Sequence, residues 1–172
     1  LVLLLLGIGS AQAALVGFYN FNNGNADDAS GNGNHGVVGA SVSFGAVGPT
    51  GDGAASFTLS TTSFIDLPID INFAAIPNLT MGAWINPNAS TSSIAKVLSH
   101  DNGSFDRTLG FDTRGGAGMS IFTGSGVFGA EPAPINTWHF IAARYDGTAA
   151  QLTVTTNQSS TSDSTEFDTG SP

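Results

Sequence analysis

No cysteine occurs in the sequence, which excludes disulfides and thiolate-bound structural metals as the source of its stability. At 172 residues the chain is long enough to close an apolar core without them, and its length is that of one domain. Charge is scarce as well. Charged residues make up 10% of the chain; the lysines and arginines are Lys96, Arg107, Arg114 and Arg144 alone, against thirteen acids, for a formal net charge of -9. Nucleic acid is bound by neutralising phosphates with many lysines and arginines, so no nucleic-acid partner is expected. Helix-forming composition is missing too. The 23 glycines, the abundant serine, threonine and asparagine, and the short apolar runs are those of an all-β secreted domain.

Only one apolar run is long. LVLLLLGIG at the start is followed by the small-residue pattern Ala11-Gln12-Ala13, the arrangement of a secretory signal peptide cleaved after Ala13. The run is too short to span a bilayer. No methionine or basic segment precedes it, so the chain is expected to begin within the signal. The mature protein is therefore expected outside the cell or on its surface, with no membrane insertion after cleavage.

From Leu15 onward the chain is a series of short runs separated by turn residues. LVGFYNF (15–21), GVVGASVSF (36–44), GAASFTL (53–59), FIDLPI (64–69), LTMGAWIN (79–86), IAKVLSH (94–100), RTLGFD (107–112), AGMSIF (117–122), TWHFIAARYD (137–146) and AAQLTVTT (149–156) each read as a strand. So many short strands at turn-punctuated intervals predict an all-β antiparallel sandwich or barrel. In LTMGAWIN one parity carries Leu79, Met81, Ala83 and Ile85 and the other Thr80, Gly82, Trp84 and Asn86, so one face looks inward and one outward. INFAAIP (71–77) has no alternation and reads as a single helical turn. Beyond Thr156 the chain turns polar, either a tail or the start of further strands.

In order, LVGFYNFNNG, DDASGNGNHG, GAASFTLSTTSFIDLP, LTMGAWINP, AKVLSH and INTWHFIAARYDG resemble the motifs of laminin G-like, concanavalin A-like jelly-roll domains of secreted bacterial proteins. The resemblance runs from Leu15 to about Asn157. It implies an antiparallel β-sandwich, a concanavalin A-like jelly roll. The expected organisation is a signal segment at 1–13, the jelly roll at 14–157, and a polar tail or the start of missing C-terminal strands at 158–172. One motif departs: where the family has Phe-Asp-Gly, this chain has Phe57-Thr58-Leu59, so any role of that aspartate is absent.

Jelly rolls of this kind also carry β-glucanases, whose chemistry needs a proton-donating acid and a second carboxylate at a fixed distance. The only glutamates are Glu131, beside Pro132, and Glu166 in the polar tail. Neither has a second carboxylate two or four residues away on an interior strand, and no Gly-x-Ser-x-Gly elbow serves His35, His100 or His139. No enzymatic activity is expected. His139 shares a parity with Ile141, Ala143 and Tyr145 and reads as a packed core residue.

Binding sites have three candidates. Trp84, Trp138, Phe105 and Phe128 are aromatics that can stack on a sugar ring or pack in the core. The loop DNGSFDRTLGFDTRGG (101–116) offers Asp101, Asn102, Arg107 and Arg114 as a ligand-binding rim, or a solvated hairpin whose charges partner one another. DDASGNGNHG (27–36) places oxygens at Asp28, Ser30, Asn32 and Asn34 with glycines between. Such a set suits calcium or a glycine turn in which the side chains bond backbone N–H groups. Related jelly rolls hold a structural calcium at the rim, so the resemblance favours a weak structural calcium site there. The expected function is a secreted, non-catalytic module that binds a glycan or an extracellular protein ligand, with other domains of the same full-length protein as further partners. The alternative is a structural surface or matrix module without a small ligand.

Overall fold

A computed structural model describes residues 13–89, 94–100, 107–114, 118–123, 126–132, 134–146, 149–156 and 159–166. Apart from Ala13, the expected signal segment lies outside them. The chain forms two compact units, Leu1–Ile69 and Asp70–Pro172.

The first unit holds β1 (Val37–Val38), β2 (Val42–Val47), β3 (Gly53–Phe57) and β4 (Ile65–Asp66). β1 pairs antiparallel with β4 and β2 with β3. The β2–β3 register shifts between Phe44 and Ala46. Gly45 sits there at φ 105°, a bulge conformation that a side chain would strain. Residues 15–21, expected as a strand, form none. The loop at 27–36 takes up their backbone groups instead.

The second unit is an antiparallel sandwich. Its strands are β5 (Leu79–Ile85), β6 (Ala95–His100), β7 (Arg107–Phe111), β8 (Met119–Phe122), β9 (Val127–Glu131), β10 (His139–Tyr145), β11 (Ala149–Thr156) and β12 (Ser159–Glu166). They form two four-stranded sheets, ordered β12-β11-β10-β5 and β6-β7-β8-β9. Leu109, Phe111, Met119 and Ile121 of one sheet and Ile141, Ala143, Tyr145, Ala150, Leu152 and Val154 of the other form a single buried cluster. Period-two alternation places them: His139, Ile141, Ala143 and Tyr145 are buried along β10 while Arg144 is exposed. Leu79, Met81 and Ile85 of β5 pack against the same core. β7 departs from alternation, since all five of its residues are buried. Residues 71–77 make the expected helical turn, with Ala75 and Ile76 donating to the Asn72 carbonyl at 3.0 and 2.9 Å.

Two strands lack a sequence signal. β9 is VFGAE, with a glycine at its centre. β12 is SSTSDSTE, without one apolar residue, yet it runs in unbroken register along β11 from Ala149↔Glu166 to Thr156↔Ser159. Of the two readings of this segment, a polar tail or the start of further strands, Ser159–Glu166 follows the second, held by backbone pairing rather than by a hydrophobic pattern.

Candidate functional site

The loop at 27–36 is organised around one carboxylate. Asp28, 7% exposed, accepts the amides of Phe18 (3.0 Å) and Ser30 (2.8 Å) at Oδ1 and that of Asn34 (3.0 Å) at Oδ2. Gly31 and Gly33, at φ 88° and 77°, supply the left-handed bends that bring the Asn34 amide back to it. Around this centre Asn32 Nδ2 donates to the carbonyls of Leu15 (2.6 Å) and Val16 (3.1 Å), and Asn34 Nδ2 to that of Val16 (2.9 Å). Tyr19 Oη donates to the Asn34 carbonyl at 2.6 Å. Carbonyl oxygens only accept, so the amide atoms that face them are NH₂ groups and not oxygens.

These residues do not fit a cation. Both lone-pair directions of Asp28 Oδ1 are engaged by N–H donors, and Asn32 and Asn34 present hydrogens to the neighbouring segment. Among the described residues no group of three or more His, Cys, Asp or Glu is placed to hold a metal. Of the four side chains expected to converge on calcium, Asp28, Asn32 and Asn34 instead fasten residues 15–18 to the loop, while Ser30 Oγ accepts from Asn32 within it.

The hydrogen bonds from the Ser30 side chain first, then from the Phe18, Ser30 and Asn34 amides, hold the Asp28 carboxyl well below the usual carboxylate range, against the opposing effect of burial. A depressed folded value means the stabilisation is complete above the unfolded carboxyl's titration, near pH ~4, and is lost as pH falls toward the folded value. Asp28→Asn turns an NH₂ toward at least one of the three amides, so its Leu1–Ile69 unit is expected to open at lower temperature by several degrees at neutral pH. Below pH ~4 the gap between the two proteins should narrow. Amide hydrogen exchange of residues 15–36 across that pH range checks this; a pH-independent gap would contradict it.

Of the loop at 101–116, residues 107–114 are described. Asp101, Asn102 and Phe105 lie outside the described residues. Arg107 is fully buried, which corrects its placement as a ligand-binding residue. Its guanidinium donates to the carbonyls of Ile71 (Nη1, 2.9 Å), Ile76 (Nη1) and Pro77 (Nη2, 3.0 Å). It also lies 5.6 Å from the ring centre of Phe73 and 5.1 Å from that of Tyr145. The position is set by β7, which carries Arg107 into the interior as part of a buried strand. Arg114 folds onto Asp112 through Nε (3.0 and 3.1 Å) and Nη2 (2.6 Å) and over the Phe122 ring at 5.5 Å. Those hydrogen bonds hold the Asp112 carboxyl below its ordinary range. Arg107 and Arg114 thus serve different places, the one inside the sandwich and the other against Asp112 and Phe122. His139 is buried, as its parity implies, with Nε2 3.0 Å from the Pro134 carbonyl.

The outward face of β5 and β10 carries the aromatic surface. Trp84, 42% exposed, is directly opposite Phe140 in the β5–β10 register, and the two rings lie 5.5 Å apart at 55°. Beside them Gly82 is opposite Ala142, and Thr80 is opposite Arg144. On β11, Thr153 is opposite Ala142 and Gln151 opposite Arg144. A Cβ at Gly82 would stand 3.0 Å from Phe140 Cζ and 3.0 Å from the Ile141 carbonyl, so the Phe140 ring occupies the space the glycine leaves open. The face thus joins an exposed Trp84 and a half-buried Phe140 to low ground at Gly82 and Ala142 and to polar groups at Thr80, Arg144, Gln151 and Thr153. β5, β10 and β11 contain no aspartate or glutamate. The alternation of LTMGAWIN already puts Trp84 on this parity; its partner Phe140 is hidden in TWHFIAARYD, a run apolar on both parities.

Comparison with solved structures finds a likeness to domain 4 of AbnA, a GH43 extracellular arabinanase from Geobacillus stearothermophilus, solved in complex with arabinotriose. The two share 19% identity with a TM-score of 0.58, over 84% of this chain and 76% of that one. At this identity the likeness is one of fold. No curated protein sequence matches the chain. The family model described as concanavalin A-like lectin/glucanases superfamily matches residues 59–171, a span that takes in both sheets of the sandwich. The all-β antiparallel architecture agrees with it, and the chain belongs to the concanavalin A-like lectin/glucanases superfamily.

Proposed function

We propose that the protein is a secreted, non-catalytic carbohydrate-binding module whose ligand stacks on Trp84 and Phe140. The observation that carries this reading is the aromatic pair of exposed Trp84 and half-buried Phe140 on the outward sheet face, followed along the strands by Gly82 and Ala142 and then by Thr80 and Arg144. The C–H face of a sugar ring covers an aromatic surface, while hydroxyl and amide side chains bond its hydroxyls. The superfamily and the fold likeness to an arabinotriose-bound domain support it. The lack of carboxylates on β5, β10 and β11 favours binding over glycoside hydrolysis, which needs a pair of acids flanking the bond. Secretion rests on the apolar segment ahead of Ala14.

Affinity electrophoresis through gels containing soluble polysaccharides tests the proposal. The protein is expected to be retarded by at least one neutral polysaccharide in a panel of arabinan, xylan, mixed-linkage glucan and dextran, without releasing reducing sugar from it. Unchanged mobility across the whole panel would overturn the reading, and sustained release of reducing sugar would overturn its non-catalytic part.

A further inference from the structure

Resting on the carbohydrate reading, we infer that the Trp84–Phe140 face selects neutral glycans and rejects glycans bearing carboxylate or sulfate groups. Anionic sugars are held by arginine forks or lysines directed at the acidic group, and the whole chain has four such residues. Arg107 is buried beneath the turn at 71–77 and donates to three carbonyls there. Arg114 is chelated by Asp112. Lys96 is on β6, in the opposite sheet. That leaves Arg144 as the one cation on the face. It stands four residues along β10 from Phe140, about 13 Å at the rise of an extended strand, and its Nη2 lies 3.4 Å from Asp146 Oδ2.

A charged ring stacked on Trp84 and Phe140 meets no cation, and one farther along the strip, beside Thr80, would have to compete with Asp146 for Arg144. An anionic ligand would also approach a molecule of net charge -9, whose field opposes the encounter. A neutral ligand meets neither cost. Thr80, Thr153 and Gln151 each offer both a donor and an acceptor, the complement a run of sugar hydroxyls requires. The strip from Trp84 to Thr80 follows the strand direction, so it fits an extended chain of linked rings better than a single terminal sugar.

The test pairs each neutral polymer with a charged counterpart: dextran with dextran sulfate, and arabinan with polygalacturonate. Affinity electrophoresis is run with each over a series of salt concentrations, followed by calorimetric titration of oligosaccharides from any polymer that retards the protein. The expected result is binding to a neutral polymer that is insensitive to salt, with affinity for the anionic polymers weaker by about tenfold or more. Equal or tighter binding to an anionic polymer, fading as salt rises, would overturn this inference and leave the carbohydrate reading intact. Failure to bind any of the four polymers, and the rest of the neutral panel, would overturn both.

Discussion

Arg107→Met is expected to lower the stability of the Asp70–Pro172 unit by about 3 to 5 kcal/mol, a large share of what a domain possesses. The opposite result has a physical case, because a buried charge is costly to desolvate and apolar replacements of buried ionic groups are sometimes stabilising. Two features decide against it here. Methionine fills the path of the arginine stem but leaves the part-buried carbonyls of Ile71, Ile76 and Pro77 facing a thioether, and an acceptor that loses its donor away from water costs about 1 to 3 kcal/mol. The guanidinium also sits against the rings of Phe73 and Tyr145, contacts that strengthen when desolvated. Arg107→Lys keeps the charge but cannot reach three carbonyls through a planar fork, so its stability should fall between those of the wild type and the methionine variant. Urea unfolding followed by fluorescence measures all three; a methionine variant as stable as the wild type would show that desolvation cancels the hydrogen bonds.

The second large effect concerns binding. Trp84→Ala is expected to weaken the affinity for a neutral oligosaccharide by about tenfold or more, which corresponds to about 1.4 kcal/mol or above. The ring is partly solvent-exposed and on the outward parity of β5, so its removal should leave the core cluster and the melting transition nearly unchanged. Weaker binding beside an unchanged melting temperature and backbone circular dichroism would show that the stacking surface has gone while the fold remains. Gly82→Ala supplies the companion measurement. The added methyl must move Phe140 or the Ile141 carbonyl by a few tenths of an ångström, which tilts the platform without removing either aromatic. A several-fold loss is expected from it. Unaltered affinity in both variants would place the ligand elsewhere on the molecule.

The sandwich is legible in the sequence where burial is one-sided. β5 and β11 show period-two alternation because one face meets the core and one meets water, and their strands follow the sequence closely. Where that asymmetry fails, so does the reading. Arg107 stands in a strand buried on both faces. A charged residue beside Asp106 and within a glycine-rich stretch looks like surface until the carbonyls of the turn at 71–77, far upstream in the chain, are seen to receive it. Residues 15–21 have the composition of a strand, but the carbonyls of Leu15 and Val16 and the Phe18 amide are claimed by Asn32, Asn34 and Asp28 before any neighbouring strand can pair with them. Spacing alone names the right residues of that loop. It does not say whether the asparagines turn oxygen or NH₂ inward, and that orientation separates a clamp from a calcium site.

Trp84 and Phe140 belong to strands that adjoin in the sheet while the four strands β6 to β9 lie between them in the chain. Neighbouring hairpins such as β10–β11 close short loops, whereas the β5–β10 pairing must draw together distant segments and bears a larger loop-closure entropy. The aromatic platform is therefore a property of the completed topology and is absent from any collapsed chain that holds only its local hairpins. A glycan that recognises the pair binds native molecules alone, so occupancy pulls the folding equilibrium toward the native state, by about 2.7 kcal/mol at a ligand concentration about a hundredfold above the dissociation constant.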